Sequence, residues 1–393
     1  MTRVVGIGPS TARAHVLIAG VTVRALAVSA ARAGYRVTAV DAFGDLDLRR
    51  VARVIPLRLE LGAEYSPLSA AKAARTVPAA LVAYTSNFEN YPAAVAKLAG
   101  RRRLLGNPPS VLTRVRNPLE LMRAVLRRGF SAPRTRATPP PARPVSGSWL
   151  LKPRRSGGGH GTRTWCPGES VPKTHYLQER IAGTPGSIVF AADGNRAVTL
   201  GLSRQLVGDG RFGAQGYRYC GSLIGNPGGL FHREEELFEA AQALAAGLTA
   251  EFSLVGLNGI DFVARGGVPY PIEVNPRYSA SMELIERAHG LSMFEVHIRA
   301  CGGTLPAPPP PTGKVEGKAI VFARRDVVLG DTRRWIDRGS FADVPHRGER
   351  IRRGHPICTV FATGRDAESC RRLLIRRAAT VYRTVGFVKR GFA

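Results

Sequence analysis

Apolar positions change their spacing several times along the chain, and each change predicts an element. His15 to Gly20 is an apolar run that reads as a buried strand, Arg24 to Gly34 as an alanine-rich helix, and Tyr35 to Asp41 as the next strand. Strand, helix and strand in that order make a βαβ opening and predict an open parallel sheet. LVAYTSNFENYP, from Leu81, predicts a later strand followed by a loop at the carboxyl edge of that sheet, where ligands of such sheets bind. Residues 110–137 predict two short helices around LELMRAVLRRG. Beyond them come the strand ending at Lys152, the strand from Tyr176 to Ile181, a helix from Glu234 to Thr249 with apolar residues mostly on one side, two strand-like segments (NGIDFV, PIEVNPR), and a helix starting near Met282.

Two proline clusters punctuate this series. TPPPARP at 138–144 predicts a stiff joint before the Lys152 strand, and LPAPPPPTG at 305–313 a linker. The expected divisions are residues 1–109, 110–304 and 313–393. Within the second, a small mobile lid lobe is expected at about 145–190 and a large lobe at about 191–304. The last division reads as short strands and glycine turns, closed by a helix from Asp366 to about Thr384; His346 and His355 fall in its turns. The fold class expected is α/β with α+β lobes.

A hydrophobic content of 44% with 7% aromatic residues is that of a globular protein, and 393 residues can hold two to four domains. The formal charge of +28 raises the question of nucleic acid or anionic membranes. Only seven of the 57 basic residues are lysines, and the fifty arginines are dispersed, with no basic stripe interleaved with aromatics. This disfavours nucleic acid and fits arginine-rich coding plus an anionic small-molecule substrate. The five cysteines are far apart and form no C-x-x-C pair or zinc spacing, as expected of reduced thiols. Arg24 interrupts the apolar start, and no segment has the eighteen or so apolar residues a bilayer span needs. A cytoplasmic protein without membrane contact is expected.

Two stretches carry the candidate chemistry. In LLKPRRSGGGHGT, Lys152 ends an apolar strand and precedes the loop Ser156-Gly157-Gly158-Gly159-His160-Gly161, whose N–H groups can wrap phosphate oxygens because glycine has no Cβ. A glycine loop alone is also an ordinary turn, and this one lacks the Lys-Ser/Thr ending of a Walker loop. The second stretch sets Asp261, Glu273 and Asn275 on strand-like segments, with Glu273 and Asn275 two apart and so on one face. Hard oxygen ligands of this kind suit Mg²⁺, which takes carboxylates plus substrate phosphates. IEVNPR could equally be an edge strand with a solvated polar face.

At these residues the chain resembles the ATP-grasp superfamily, the carboxylate–amine ligases and their relatives, over roughly residues 14–300. The resemblance rests on the order of four elements: the lysine and glycine loop, YLQERIAGTPGSIVF, NGIDFV and PIEVNPR. It implies an ATP-grasp fold with a Rossmann-like pre-ATP-grasp domain and a small β-rich C-terminal domain. It also implies ATP and Mg²⁺ (or Mn²⁺) as cofactors, an adenine-reading hinge at Gln178, Glu179, Arg180 and Ile181, and small-molecule carboxylate and amine substrates; it leaves room for a homodimer. Many members carry a further ATP-binding lysine where this chain reads Arg114-Val115-Arg116-Asn117-Pro118.

The implied chemistry is activation of a carboxylate as its acylphosphate, followed by attack of an amine. Lys152 positions the triphosphate and Arg277 stabilises the oxyanion or the phosphate charge, unless Arg277 is merely an ion pair holding its strand. Ser86, Asn87 and Glu89 are candidates for holding substrate, and Ser279, Ser281, Arg204 and Gln205 suggest a pocket for an acidic one; the serines could instead be helix caps. NPRYSASMEL with the β-rich tail resembles the tyramine–glutamate ligase-like group linked to one-carbon cofactors, which implies an amino acid such as glutamate and a role in cofactor biosynthesis. The competing readings are an ATP-grasp carboxylase and a non-catalytic nucleotide-binding module.

Overall fold

The computed structural model describes residues 13–57, 65–139, 148–225 and 229–387. Its first sheet is parallel, in the order β3 (Arg53–Pro56), β2 (Tyr35–Asp41), β1 (Arg13–Ala19), β4 (Leu81–Tyr84) and β5 (Arg103–Leu105). The order reverses between β1 and β4, and the Thr85–Asn90 loop leaves β4 at that switch point. The βαβ opening is thus as expected, with its helix at Arg24–Arg32.

A four-stranded sheet follows, in the order β6 (Thr135–Arg136), β9 (His175–Glu179), β7 (Trp149–Pro153) and β8 (Arg163–Thr164). Its small core is Trp149, Leu151, Trp165 and Leu177. Residues 140–147, which include most of the proline-rich joint, lie outside the described residues.

The largest sheet has eight strands, ordered β14 (Val268–Asn275), β13 (Val255–Arg265), β10 (Thr184–Asp193), β11 (Ala197–Val207), β12 (Tyr219–Ile224), β15 (Val315–Phe322), β19 (Pro356–Gly364) and β17 (Phe341–Ala342). Both its faces are covered, and the two-residue period of β10 shows it. Ile188, Phe190 and Ala192 join one core, while Val189 and Ala191 join another shared with the first sheet. On one face packs the helix Glu234–Phe252, which buries Leu237, Ala241, Leu244, Ala245, Leu248 and Phe252 on a helical period. Three glutamates in its first turn suit the positive end of the helix dipole. It runs three residues past the expected Thr249 and stops where Ser253 turns left-handed, φ 56°.

The segment after the second proline cluster puts its long strands into the large sheet. Its long strands β15 and β19 pair with each other, and β15 pairs with β12, so they extend the sheet that bears the metal-ligand candidates. Only β18 (Arg350–Ile351), β16 (Val327–Val328) and β20 (Gly386–Phe387) make a separate small sheet. The C-terminal helix Ala367–Thr384 starts at a capping box between Asp366 and Ser369 and buries Cys370, Leu374, Ala378 and Val381. No helix among the described residues is long and apolar enough to cross a membrane.

Candidate active site

The four-stranded sheet, the large sheet and the switch-point loop of the first sheet enclose a cavity of about 860 Å³. Lys152, Ser156 to His160, Gln178 to Ile181, Asp261, Glu273, Asn275 and Arg277 all line it. Residues more than a hundred positions apart in sequence therefore share one space; Gly161 ends the loop just outside this lining and borders a neighbouring cleft.

Lys152 stands on β7, its ammonium 2.9 Å from Gln178 Oε1 and 5.7 Å from the ring centre of Tyr176 on β9. The two strands are paired, Lys152 opposite Tyr176. Gln178 is buried and also donates to Ile272 O at 3.2 Å, tying the hinge strand to β14. The Glu179 carboxylate is engaged by Arg134, which donates from Nε at 3.1 Å and from Nη2 at 3.2 Å. Arg180 N donates to Ser148 O, while its side chain is exposed and Ile181 is half-buried.

The glycine loop needs its glycines. Gly158, Gly159 and Gly161 have φ of 60°, 74° and 74°, and a Cβ on Gly159 would lie 1.8 Å from Tyr217 O. Ser156 Oγ donates to His160 O at 2.7 Å, closing the loop on itself. Ser156 O accepts from Arg116 Nη2 at 3.2 Å and from Asn90 Nδ2 at 3.3 Å.

Asp261 and Glu273 face each other in register across β13 and β14. Asp261 accepts from Gln205 Nε2 and from Asn275 Nδ2, each at 2.9 Å, and Asn275 Oδ1 accepts from Arg277 Nη2 at 3.2 Å. Burial and the nearby Glu273 charge push the Asp261 carboxyl up, whereas burial of Glu273 is outweighed by Arg116 and Lys152, which pull it down. Two half-buried carboxylates that repel each other, with an amide beside them, fit a divalent cation that completes its shell with phosphate oxygens. Among the described residues no group of three or more His, Cys, Asp or Glu side chains could hold a metal ion. An ion here would thus lean on phosphates, as Mg²⁺ does and a structural zinc does not.

Other expected residues have different surroundings. Arg277 is buried and paired with Glu89, Nη2 to Oε1 2.7 Å, so the ion pair weighed as its alternative role is present. Glu89 therefore meets the site through Arg277. Ser281 makes no capping bond; its Oγ accepts from Ser203 Oγ at 2.9 Å and lies 3.3 Å from Ser222 Oγ. Gln205 faces the cavity and holds Asp261, but Arg204, next to it on the strand, is exposed on the other side. Of the arginines near the expected second lysine, Arg116 lines the cavity. Its Nη1 lies 3.5 Å from Glu273 Oε2 and donates to Val274 O at 2.7 Å. The sequence marked that stretch only by its lack of lysine; nothing local told Arg116 from Arg114, which instead pairs with Glu120.

Known proteins share this fold. Residues 115–281 match the model of the ATP-grasp domain. An uncharacterized protein of Methanocaldococcus jannaschii is 24% identical over 291 residues, an alignment covering 70% of this chain and 66% of that one. The chain therefore spans just under two thirds of the length of that relative. The L-amino acid ligase of Bacillus licheniformis superposes with a TM-score of 0.68 at 14% identity, over 97% of this chain and 100% of the other. The biotin carboxylase of Campylobacter jejuni does so with 0.68 at 13%, over 94% and 91%. Residues 115–281 are thus a domain of the ATP-grasp family, and the chain built around them has the fold of the ATP-grasp ligases.

Proposed function

We propose that the chain is an ATP-dependent, ADP-forming carboxylate–amine ligase. The observation that supports it best is the meeting, in one cavity, of a lysine-led glycine loop with Asp261, Glu273, Asn275 and Arg277. Lys152 and the loop N–H groups bind the triphosphate, and Gln178 and Glu179 at the end of β9, with Arg180 and Ile181 just beyond, take the adenine. Asp261, Glu273 and Asn275 would hold Mg²⁺ or Mn²⁺, which supplies positive charge to phosphate oxygens when bound. A substrate carboxylate oxygen attacks the γ-phosphorus, the bond to ADP breaks, and an acylphosphate results. An amine then attacks the acyl carbon, phosphate departs with the acid's former oxygen, and the amine proton is released. Arg277 stabilises the negative charge that builds during these transfers.

The substrates are small molecules, with an amino acid such as glutamate as one of them and cofactor biosynthesis in the cytoplasm as the setting. The resemblance of NPRYSASMEL to the tyramine–glutamate ligase-like group supports this choice. The carboxylase reading draws support from the equal fold likeness to the biotin carboxylase. Paired carboxylates beside a phosphate-binding loop favour either enzyme over a non-catalytic module.

The test is a screen of acid and amine pairs for ADP and phosphate release, followed by an acid labelled with heavy oxygen in its carboxylate. Label in the released phosphate is the expected result. Label retained in the product, or AMP in place of ADP, would exclude the acylphosphate route, and ATP use that depends on bicarbonate would favour the carboxylase.

A further inference from the structure

Behind Arg277 and Ser279 the cavity continues into a chamber walled by distant parts of the chain. Arg24 starts the first helix, Tyr278 follows β14, Lys318 lies on β15, Asp343 follows β17 and Thr359 lies on β19. Arg24 grips Glu283 through both terminal nitrogens, and Lys318 Nζ donates to Glu283 Oε2 at 2.8 Å. Arg24 also donates to Asp343, Nε to Oδ1 at 3.0 Å and Nη2 to Oδ2 at 3.3 Å, and lies 3.6 Å from Asp47. Two cations therefore meet three carboxylates. In a chain whose formal charge is +28, this cluster has one carboxylate more than it has cations, and Arg24, Lys318 and Asp343 are its members on the cavity wall.

Asp343 is the charged group that still faces open space. Its side chain is 26% exposed, against 6% for Arg24, 5% for Lys318 and 11% for Glu283. Its oxygens accept two bonds from Arg24 and one from Thr359 Oγ1, of roughly four that a carboxylate can accept, so an acceptor position is left. A second and independent sign is Tyr278, which is 6% exposed, lines the chamber and has a buried hydroxyl with no hydrogen-bond partner. Buried hydroxyls normally have partners, and a ligand in the chamber would supply one. Burial, then the charges of Glu283 and Glu286, push its ionisation well above the ordinary tyrosine range, so it remains a neutral oxygen able to accept from a cation.

We propose that this chamber is an ammonium site, which takes the amine partner of the reaction in its protonated form against Asp343 and the Tyr278 hydroxyl. That the bound amine is a co-substrate rests on the ligase reading; the binding of a cation does not. An anion would face the Asp343 carboxylate, and a neutral alcohol would lack the charge that Asp343 answers. An ammonium group brings both a charge and three N–H donors. Lys318 makes one hydrogen bond with three donors. Its spare N–H groups could also hold a carboxylate on the same molecule, which separates an amino acid from a simple amine.

Calorimetry on the full-length protein without ATP turnover tests this, with propylamine, β-alanine and propanol as probes. Either or both of the amines should bind about tenfold more tightly than propanol, as expected for a hydrogen bond to a charged group. Binding by propylamine identifies a simple amine, and preference for β-alanine an amino acid that uses Lys318. Asp343→Asn should weaken the amine about tenfold. Should that variant fail to fold because Arg24 is left underpaired, Tyr278→Phe removes only an unpartnered hydroxyl and should weaken it about threefold. Propanol binding as well as the amines, or amine affinity unchanged in a folded variant, overturns the proposal. If the site fails while labelled acid still yields labelled phosphate, the ligase reading stands alone. If the amine binds but no acid and amine pair consumes ATP, that reading falls and the cation site remains.

Discussion

Arg277 Nη2 lies 2.7 Å from Glu89 Oε1, and the two side chains are 9% and 0% exposed as residues, so the loop after β4 clamps the arginine that follows β14. Arg277 Nε and Glu89 Oε2 have no protein partner. The pair therefore joins the first sheet to the reaction site while keeping a donor in reserve. Removing one member of a buried pair strands the other, so Glu89→Ala should cost about 3–5 kcal/mol in chemical unfolding. Arg277→Lys keeps the charge but loses the planar fork, and should lower kcat well beyond its effect on ATP affinity. Loss of ATP affinity with kcat unchanged would mean that Arg277 acts only in binding.

Lys152 has one hydrogen bond, to Gln178, and is half-buried over Tyr176. Lys152→Met should cost about 1 kcal/mol or less in the nucleotide-free protein, the net worth of an ordinary hydrogen bond. The rise in Tm on adding Mg–ATP should shrink sharply. A large drop in nucleotide-free Tm with the ATP response intact would make Lys152 structural.

Glu273 opposes Asp261 in register and lies 3.5 Å from Arg116. Glu273→Ala should cut Mg²⁺-dependent ATP affinity about tenfold or more, because Mg²⁺ holds few protein ligands and loses one. Titration calorimetry with and without the metal reads this, and unchanged affinity would remove Glu273 from the metal set.

Gly159→Ala forces a side chain onto a left-handed residue, φ 74°, with its Cβ 1.8 Å from Tyr217 O. The loop must move, and ATP affinity should fall; the strain itself is about 1–2 kcal/mol. Gly157→Ala, at a position where a Cβ meets nothing within 4 Å, is the control and should retain most binding.

His297, on the helix Met293–Ala300, accepts from Leu257 N at 2.9 Å through Nδ1 and faces Leu105 O at 3.3 Å through Nε2. Burial lowers its pKa from 6.5 to about 4. A proton therefore prefers the unfolded chain, so this stabilisation is complete above about pH 6.5 and is lost as pH falls toward 4, by about 3 kcal/mol. In urea unfolding, His297→Gln should be less stable than the parent at neutral pH yet show a shallower decline across that range. Parallel pH profiles would show that His297 does not drive the acid loss.

The ATP-grasp resemblance was readable because its carriers are local. Lys152 and the glycines fall within ten residues, and Glu273 and Asn275 alternate along one strand, where a period of two puts them on one face, with Arg277 two residues beyond. Hydrophobic period likewise yielded the βαβ opening and the long helices. The end of the Glu234 helix was missed because Ala250, Glu251 and Phe252 continue the pattern and only the backbone of Ser253 stops it.

Long-range pairing had no such signal. Whether β15 starts a new sheet or extends an old one depends on which edge its hydrogen bonds find, and the apolar pattern of a strand is the same either way. Glu89 and Arg277 are 188 residues apart, and Arg24 and Asp343 are 319 apart. Their charges are unremarkable among 57 basic and 29 acidic residues until the three sheets close around one cavity. Local order thus specified the loop and strands that meet ATP, since each needs only its neighbours in the chain. The partner of Arg277 and the cluster of Arg24, Glu283, Lys318 and Asp343 behind it exist only in the packed molecule, because burial and proximity are what turn ordinary surface charges into a site.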